Sequence, residues 1–268
     1  MTASNISAQL DSLYDSEQMQ TFVELFQEEA SSLSPKVRDL YLVQVIWAQM
    51  TLRKFDEALT AAREFHESGT RTPKFARDLG RGLLEIGACH WMLNERSRAV
   101  EAWKKLCEGI EAGNFEYARD AVGGLTYGLM LWFAAIMCGD RSLRAYSLEF
   151  ARAKVGALPE KAAHEVWPVP AAHFVLEDIT ASELVEAAVT VPSFLPGPRT
   201  MSKQDEKARH NLSLALLLMG ADELARGVSS QSEPAFSQAA CLKNPISSIP
   251  WYLARFEHER RSDGGSEA

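Results

Sequence analysis

The stretch RDLGRGLLEIGACHWMLNERSRAVEAWKKLCEGIE, residues 77–111, carries two helical periodicities with a turn between them. Leu83, Leu84, Ile86 and Trp91 recur at helical spacing and predict a helix over Arg77 to Leu93. Asn94-Glu95 makes the turn. Ala99, Trp103, Leu106 and Ile110 predict a second helix over Ser97 to Glu111, with Trp103 and Leu106 four and seven residues beyond Ala99 on one face. Neither helix can shield its apolar side chains alone, so the two should pack as an antiparallel pair.

The same design extends in both directions. Upstream, Leu10, Leu13, Tyr14, Phe22, Leu25 and Phe26 recur at three- and four-residue spacing until Ser34-Pro35 breaks the pattern. Lys36 to Met50 then places Leu40, Val43, Trp47 and Met50 on roughly one face. After a joint at Arg53, a partner helix runs from Lys54 to about His66. Downstream, Phe115 to Cys138 reads as one long apolar helix bent at Gly123-Gly124, with Ser142 to Val155 as its partner after Gly139-Asp140. A fourth joint is expected at Gly220-Ala221-Asp222, between Asp205–Met219 and Glu223–Val228.

Ala58, Ala99, Ala145 and Ala225 each fall a few residues into a predicted second helix, where a small side chain lets two helices approach. The intervals between them are unequal, so the repeat is degenerate. The pattern resembles the tetratricopeptide repeat, with Gly87, His90, Ala99 and Trp103 on that family's Gly, Tyr, Ala and Phe positions. The expected fold is all-α: a right-handed stack of antiparallel helix pairs, a tetratricopeptide-like α-solenoid. The alternative is a compact, irregular helical bundle. A single domain over 1–260 is expected. Its first pairs span 36–157, a proline-rich interruption 158–204 and the final helices 205–260, with a disordered tail at 261–268.

In the interruption, Trp167-Pro168-Val169-Pro170 predicts extended backbone and Ala171 to Leu176 a short helix. Thr180, with Glu183 three residues on, predicts a capping box opening a helix to Val189. This run, with Phe174, Ile179 and Leu184, resembles a segment of bacterial tetratricopeptide-like proteins. The helix pair through Gly220, Glu223, Leu224 and Ala225 and the closing run Trp251-Tyr252-Leu253-Ala254-Arg255-Phe256-Glu257 extend the likeness over roughly 77–260. Proteins of this kind occur among the accessory and immunity proteins of bacterial toxin systems. The resemblance implies a chain that binds and neutralises a cognate toxin.

Composition narrows the alternatives. The net charge of −8, from 36 acidic and 28 basic residues, argues against nucleic acid as a ligand. Between Met1 and Ser34 stand Asp11, Asp15, Glu17, Glu24, Glu28 and Glu29 with no Lys or Arg, a segment that would steer a basic protein or simply stay solvated. The mean hydropathy is −0.17, there is no signal-peptide pattern, and the richest apolar run, Leu125–Cys138, is too short to span a bilayer. These features point to a soluble, cytoplasmic protein outside the membrane. Cys89, Cys107, Cys138 and Cys241 are widely spaced and read as reduced thiols.

No catalytic constellation is expected. Adjacent Cys89 and His90 diverge by about 100° on a helix, no Cys-x-x-Cys occurs, and His164, Glu165 and His173 lack a metal-ligand spacing. Gly80-Arg81-Gly82 has no preceding strand and reads as close helix contact. The chain is therefore expected to be no enzyme, to carry no metal or cofactor, and to bind another protein, with a homodimer left open. The inner face of a helix-pair stack, lined by the first helix of each pair, is the expected contact surface. Arg81, Glu85, Tyr117, Arg119, Tyr127 and Arg209 are its candidate residues, alongside Gln44 and Gln49. For two of them a competing reading exists: Tyr127 as core, and Arg81 paired with Glu85 one turn away.

Overall fold

A computed structural model describes residues 3–71, 80, 82–114, 122–159, 166–191, 204–227, 229–242 and 248–264. The helices among them are α1 (Ala3–Asp15), α2 (Met19–Glu29), α3 (Pro35–Thr51), α4 (Phe55–Arg71), α5 (Leu83–Met92), α6 (Arg96–Glu111), α7 (Leu125–Cys138) and α8 (Arg141–Gly156), followed by α9 (Val169–Val175), α10 (Ala181–Thr190), α11 (Gln204–Ala225), α12 (Ser229–Cys241) and α13 (Ile249–Gly264). A short 3-10 turn, Ala30–Ser32, joins α2 to α3. The described residues contain no β-strand.

The fold is all-α, with α3 against α4, α5 against α6, α7 against α8, α10 against α11 and α12 against α13 as antiparallel neighbours. Helix α4 also packs on α5, and α6 on α7, so consecutive pairs stack in chain order. One turn design recurs. After α3, α5, α7 and α9 a single residue takes a left-handed backbone: Arg53 (φ 62°), Asn94 (φ 60°), Gly139 (φ 66°) and Glu177 (φ 67°). The next amide then reaches back to satisfy a carbonyl left over at the helix end: Lys54 to Gln49 at 2.9 Å, Glu95 to His90 at 2.8 Å, Asp140 to Ala135 at 2.9 Å and Asp178 to His173 at 2.9 Å. Three of these four positions are not glycine, and each accepts a backbone cost of about 1 kcal/mol to keep the turn tight.

Between neighbouring helices, glycine faces an aromatic ring. A Cβ added at Gly87 would overlap the Trp103 indole, one at Gly128 would come 2.5 Å from Phe150, and one at Gly220 would come 2.7 Å from Phe236. Gly87 and Trp103 have the same sequence separation as Gly220 and Phe236, which preserves the repeat in space where the alanine spacings lose it. Ile46 stands at the corresponding place in α3, and the same step beyond it leads to Ala62, so the large and small partners are exchanged. Both are completely buried.

Several expectations need correction. The N-terminal periodicity is broken into two helices by Ser16, Glu17 and Gln18, with Glu17 left-handed at φ 58°. Helix α5 starts at Leu83 and not at Arg77, because Gly82 is left-handed (φ 79°) and lies 2.9 Å, by its missing Cβ, from the Ala62 carbonyl. Residues 72–79 and 81 lie outside the described part. Helix α7 starts at Leu125, since Gly123 and Gly124 are both left-handed (φ 60° and 90°), and residues 115–121 of the expected helix lie outside the described part. The joint expected at Gly220 does not exist: α11 runs unbroken from Gln204 to Ala225, and the turn falls at Gly227 (φ 74°). A lone glycine costs a helix only about 1 kcal/mol, and packing on Phe236 offsets it. Ala225 thus lies at the end of α11 and not a few residues into a new helix, and Ala145 is exposed, its expected place in the core being taken by Ser147. The tail is helical as far as Gly264, and 265–268 lie outside the described residues. Helix α9 begins at Val169, since Pro170 in its first turn gives up no helical hydrogen bond. The Thr180–Glu183 capping box forms as expected, each residue bonding the other's backbone N–H, at 3.3 and 2.7 Å.

Burial divides the helices into inner and outer sets. All ten residues of α5 are buried, as are Tyr127 to Ala135 of α7 and Gln44 to Met50 of α3. Helices α4, α6 and α8 bury one face and leave charged residues on the other. The first helices do line the interior, and the C-terminal half of the chain covers them: α11 lies on α7, and α13 on α5.

Candidate functional site

The inner face is closed by α13. Trp251, Tyr252, Leu253 and Ala254 are buried, which an apolar helix explains, yet Glu257 is also completely buried. A carboxylate at such depth needs strong donors. The Trp91 indole N–H of α5 donates to its Oε1 at 2.9 Å, and Arg96 Nη2 of α6 donates to the same oxygen at 3.0 Å. Arg260, on α13 itself, donates to Oε2 from Nε at 3.1 Å and from Nη2 at 2.7 Å. The Arg96 guanidinium stacks 3.7 Å above the Trp91 ring, so a single cation binds the acid and covers the indole. Burial pulls the Arg96 pKa below its ordinary value, while Glu257 acts to raise it.

Two further anchors bind α13 to α3. The Tyr252 hydroxyl donates to the Trp47 carbonyl at 3.1 Å and lies 3.0 Å from Thr51 Oγ1. Burial pushes the Tyr252 phenol well above its usual pKa. Nearer the surface Arg53 meets Glu259 at 3.0 Å, and Arg255 holds the same carboxylate at 2.9 Å. Phe55 and Phe256 meet edge to face with centroids 6.2 Å apart. A shallow depression of about 230 Å³ between Met50, Met92 and these residues marks the rim of the seam.

The candidate residues that are described do not assemble on an exposed inner surface. Arg81, Tyr117 and Arg119 lie outside the described residues. Glu85 and Tyr127, expected on the open face, are 0% and 1% exposed, because α5 and α7 are enclosed on all sides. Gln44 and Gln49 are buried for the same reason. Arg209 is half-buried on α11. Beside it, burial lowers His210 to about 4, and the Asn211 side-chain amide donates to the Ala188 and Val191 carbonyls at 3.1 and 3.2 Å, fixing α10 on α11. Trp47, Trp91, Trp103 and Trp132 are core residues, as their periodicity predicted.

The outer end of the stack is different. Helices α1 and α2 form a hairpin on α3, with Ile6, Leu10, Tyr14, Phe22, Val23 and Phe26 inward. Asp11, Asp15, Glu17, Glu24 and Glu28 are exposed. The Tyr41 hydroxyl of α3 donates to Asp11 at 2.9 Å and to the Ser7 carbonyl at 3.0 Å, which fixes the start of α3 against α1. Its sequence neighbour Leu40, expected in the core, is 60% exposed, because Tyr41 takes the inward position. Asp15 is raised from its ordinary value, by desolvation first and by the Asp11 charge second. An exposed leucine on α3, preceded by the exposed Lys36 and Arg38 and carried by the helix on which an acidic hairpin packs, is the feature that periodicity concealed.

Among the described residues no three His, Cys, Asp or Glu side chains converge as a metal site, and no helix is long and apolar enough to cross a membrane. Cys89 and Cys107 are buried and Cys138 and Cys241 exposed, all as free thiols, with burial raising Cys89 and Cys107 far above the reactive range. The architecture is that of an all-α protein of pairwise packed, repeat-like helices. No protein-family model matches the chain, and no curated protein matches it.

Proposed function

We propose that the chain is a protein-binding helical scaffold that meets its partner through the outer end formed by the acidic α1–α2 hairpin and the exposed Leu40 of α3. The observation that carries this reading is a hairpin that bears carboxylates and no cation of its own, packed on the helix whose exposed Leu40 follows the exposed Lys36 and Arg38. An apolar centre with a charged rim is the usual anatomy of a contact surface. A partner fitting it is basic, with an apolar socket for a leucine, and the charge would speed its approach. The finer form is an immunity protein that neutralises a basic bacterial toxin in the cytoplasm, and it rests on the resemblance of residues 77–260 to such proteins. We assign the chain no catalytic activity of its own.

The test pairs the purified chain with any basic protein encoded beside it. Association should weaken steeply with salt, fall at least tenfold for Leu40→Asp, and fall further for Glu24→Lys combined with Glu28→Lys. A complex unaffected by these changes overturns the acidic-end reading, and unchanged survival of toxin-exposed cells lacking the chain overturns the immunity role. A generic scaffold for extended peptides fits less well, because α11 and α13 already occupy the inner face on which such peptides would lie.

A further inference from the structure

We propose that the outer face of α8 is a docking surface for the acidic α1–α2 hairpin of a second copy, so that copies join head to tail. The inference rests on the hairpin being a contact surface, as above, and names a second copy as one occupant of it.

The charges are sorted by helix. The hairpin region carries Asp11, Asp15, Glu17, Glu24, Glu28 and Glu29 with no cation. Helix α8 carries Arg141, Arg144, Arg152 and Lys154 against Glu149 alone. Asp140, just before it, is occupied as the helix cap, taking the Leu143 N–H at 2.9 Å and the Ser142 hydroxyl at 2.8 Å. Arg144 turns towards Glu177 at 3.8 Å, and Lys154 lies 5.1 Å over the Phe150 ring. Arg141 and Arg152 are exposed and pair with no carboxylate among the described residues. They are three helical turns apart, hence on one face and about 16 Å from each other along the axis. Helix α2 has 11 residues, so the hairpin spreads its acids over a similar length, about 16 Å. Between the two arginines the α8 face carries the exposed Ala145 and the half-buried Leu148, with Glu149 to one side. The hairpin offers the half-buried Leu13 and Leu25 among its acids.

One copy does not pair these two surfaces with each other. The hairpin packs on α3, and α8 packs on α7 and α9, several helices further along a stack that follows chain order. Each copy therefore presents one surface of each sign. The contact between copies is heterologous, and it extends into a row or closes into a ring. Opposite charge across it guides and orients the approach, whereas a symmetric pairing of hairpin on hairpin is repelled. A hairpin laid on one helix is a small interface, so the association is weak and depends on concentration.

The test is a charge swap read by sedimentation of the full chain. The wild type should gain mass as concentration rises, and added salt should reverse the gain. Glu24→Lys with Glu28→Lys, and separately Arg141→Glu with Arg152→Glu, should each weaken association about tenfold. Circular dichroism should show both variants folded, since all four side chains are exposed. Mixed in equal amounts the two variants should associate again, because each supplies the charge that the other lacks. A wild type that stays monomeric, an association indifferent to salt, or a mixture that fails to associate overturns the proposal. So does a loss on changing α8 with the hairpin change silent, which would assign α8 to another acidic surface. Arg141→Glu with Arg152→Glu leaves the hairpin intact and should bind a basic partner as the wild type does. A monomeric wild type that still binds such a partner defeats this inference alone. Copies that assemble while basic proteins ignore the hairpin defeat only the basic-partner reading.

Discussion

Glu257 and the carboxylates between Met1 and Ser34 occupy opposite situations around one helix, α3. The α1–α2 hairpin meets α3 through Tyr41, and α13 meets it through Tyr252. The hairpin turns its acids outward, five of them exposed in the helices and their connecting turn. Helix α13 turns one acid inward, where an indole and two guanidinium groups meet it. Removing water from a carboxylate is so costly that burial is tolerated only when donors replace the water. Where they are absent the acid stays outside, free to act on whatever approaches. The two ends of the chain thus use the same chemical group to set register and to present a charged surface.

The largest effect is expected from breaking the inner case. Glu257→Ala leaves Arg96 half-buried without its acid, and should cost about 3–5 kcal/mol in urea unfolding. A loss below about 1 kcal/mol would mean that solvent already screens the pair, and the contrast with the hairpin would disappear.

Acid should expose a second inner group. His210 is held neutral by burial, its pKa lowered from 6.5 to about 4. Between these values the unfolded chain binds a proton that the folded chain refuses, so stability falls as pH drops from 6.5 towards 4 and is unaffected above 6.5. The loss from pH 7 to pH 5 should be on the order of 2 kcal/mol, and His210→Gln should remove it. Asp15 on the hairpin has the opposite sign. Its pKa is raised, so ionisation costs the fold stability as pH rises above its ordinary value. An acid-unfolding curve for His210→Gln that overlays the wild type would place the titrating group elsewhere.

These groups differ in how far the sequence revealed them. The helix pairs were legible because apolar spacing records which face is covered, and Asn94-Glu95 and Gly139-Asp140 mark real turns. Glycine was the weaker signal: Gly123 and Gly124 are left-handed and precede a helix, while Gly220 sits inside one with the Phe236 ring against it. The expected inner binding face failed for a related reason. Periodicity reports that α5 and α7 are apolar all round, yet it does not say which distant helix covers the remaining side. Glu85, Gln44 and Gln49 are polar residues expected on the open face, with Tyr127 either there or in the core; all four are buried, and α13 and α11 cover α5 and α7. Glu257 gave a faint cue, as an acid in the run Trp251 to Phe256. Leu40 gave none, since Tyr41 beside it fits the buried stripe equally well.

A smaller, stabilising effect is expected at the hairpin turn. Glu17 holds a left-handed backbone (φ 58°) that favours glycine, and its side chain is exposed. Glu17→Gly should therefore raise stability by about 0.5–1 kcal/mol. Thermal melting that shows a loss instead would mean that the carboxylate itself holds the turn.

The smallest effect on stability should come from reversing the hairpin's outer charge. Glu24 and Glu28 lie one turn apart on α2 and repel weakly. Two lysines there repel equally, so that contribution does not change. Glu28 lies in the last turn of α2, where the helix dipole opposes an anion and favours a cation by about 0.3–1 kcal/mol. Against this, Glu24 loses its bond from the Gln20 amide, an exposed contact of little net worth. The balance for Glu24→Lys with Glu28→Lys is a change within about 0.5 kcal/mol, in contrast to the several expected for Glu257. A basic partner should nevertheless be lost, and its salt dependence should flatten. Destabilisation beyond about 1 kcal/mol would show these acids to be structural, and then inner and outer carboxylates would not be divided as described.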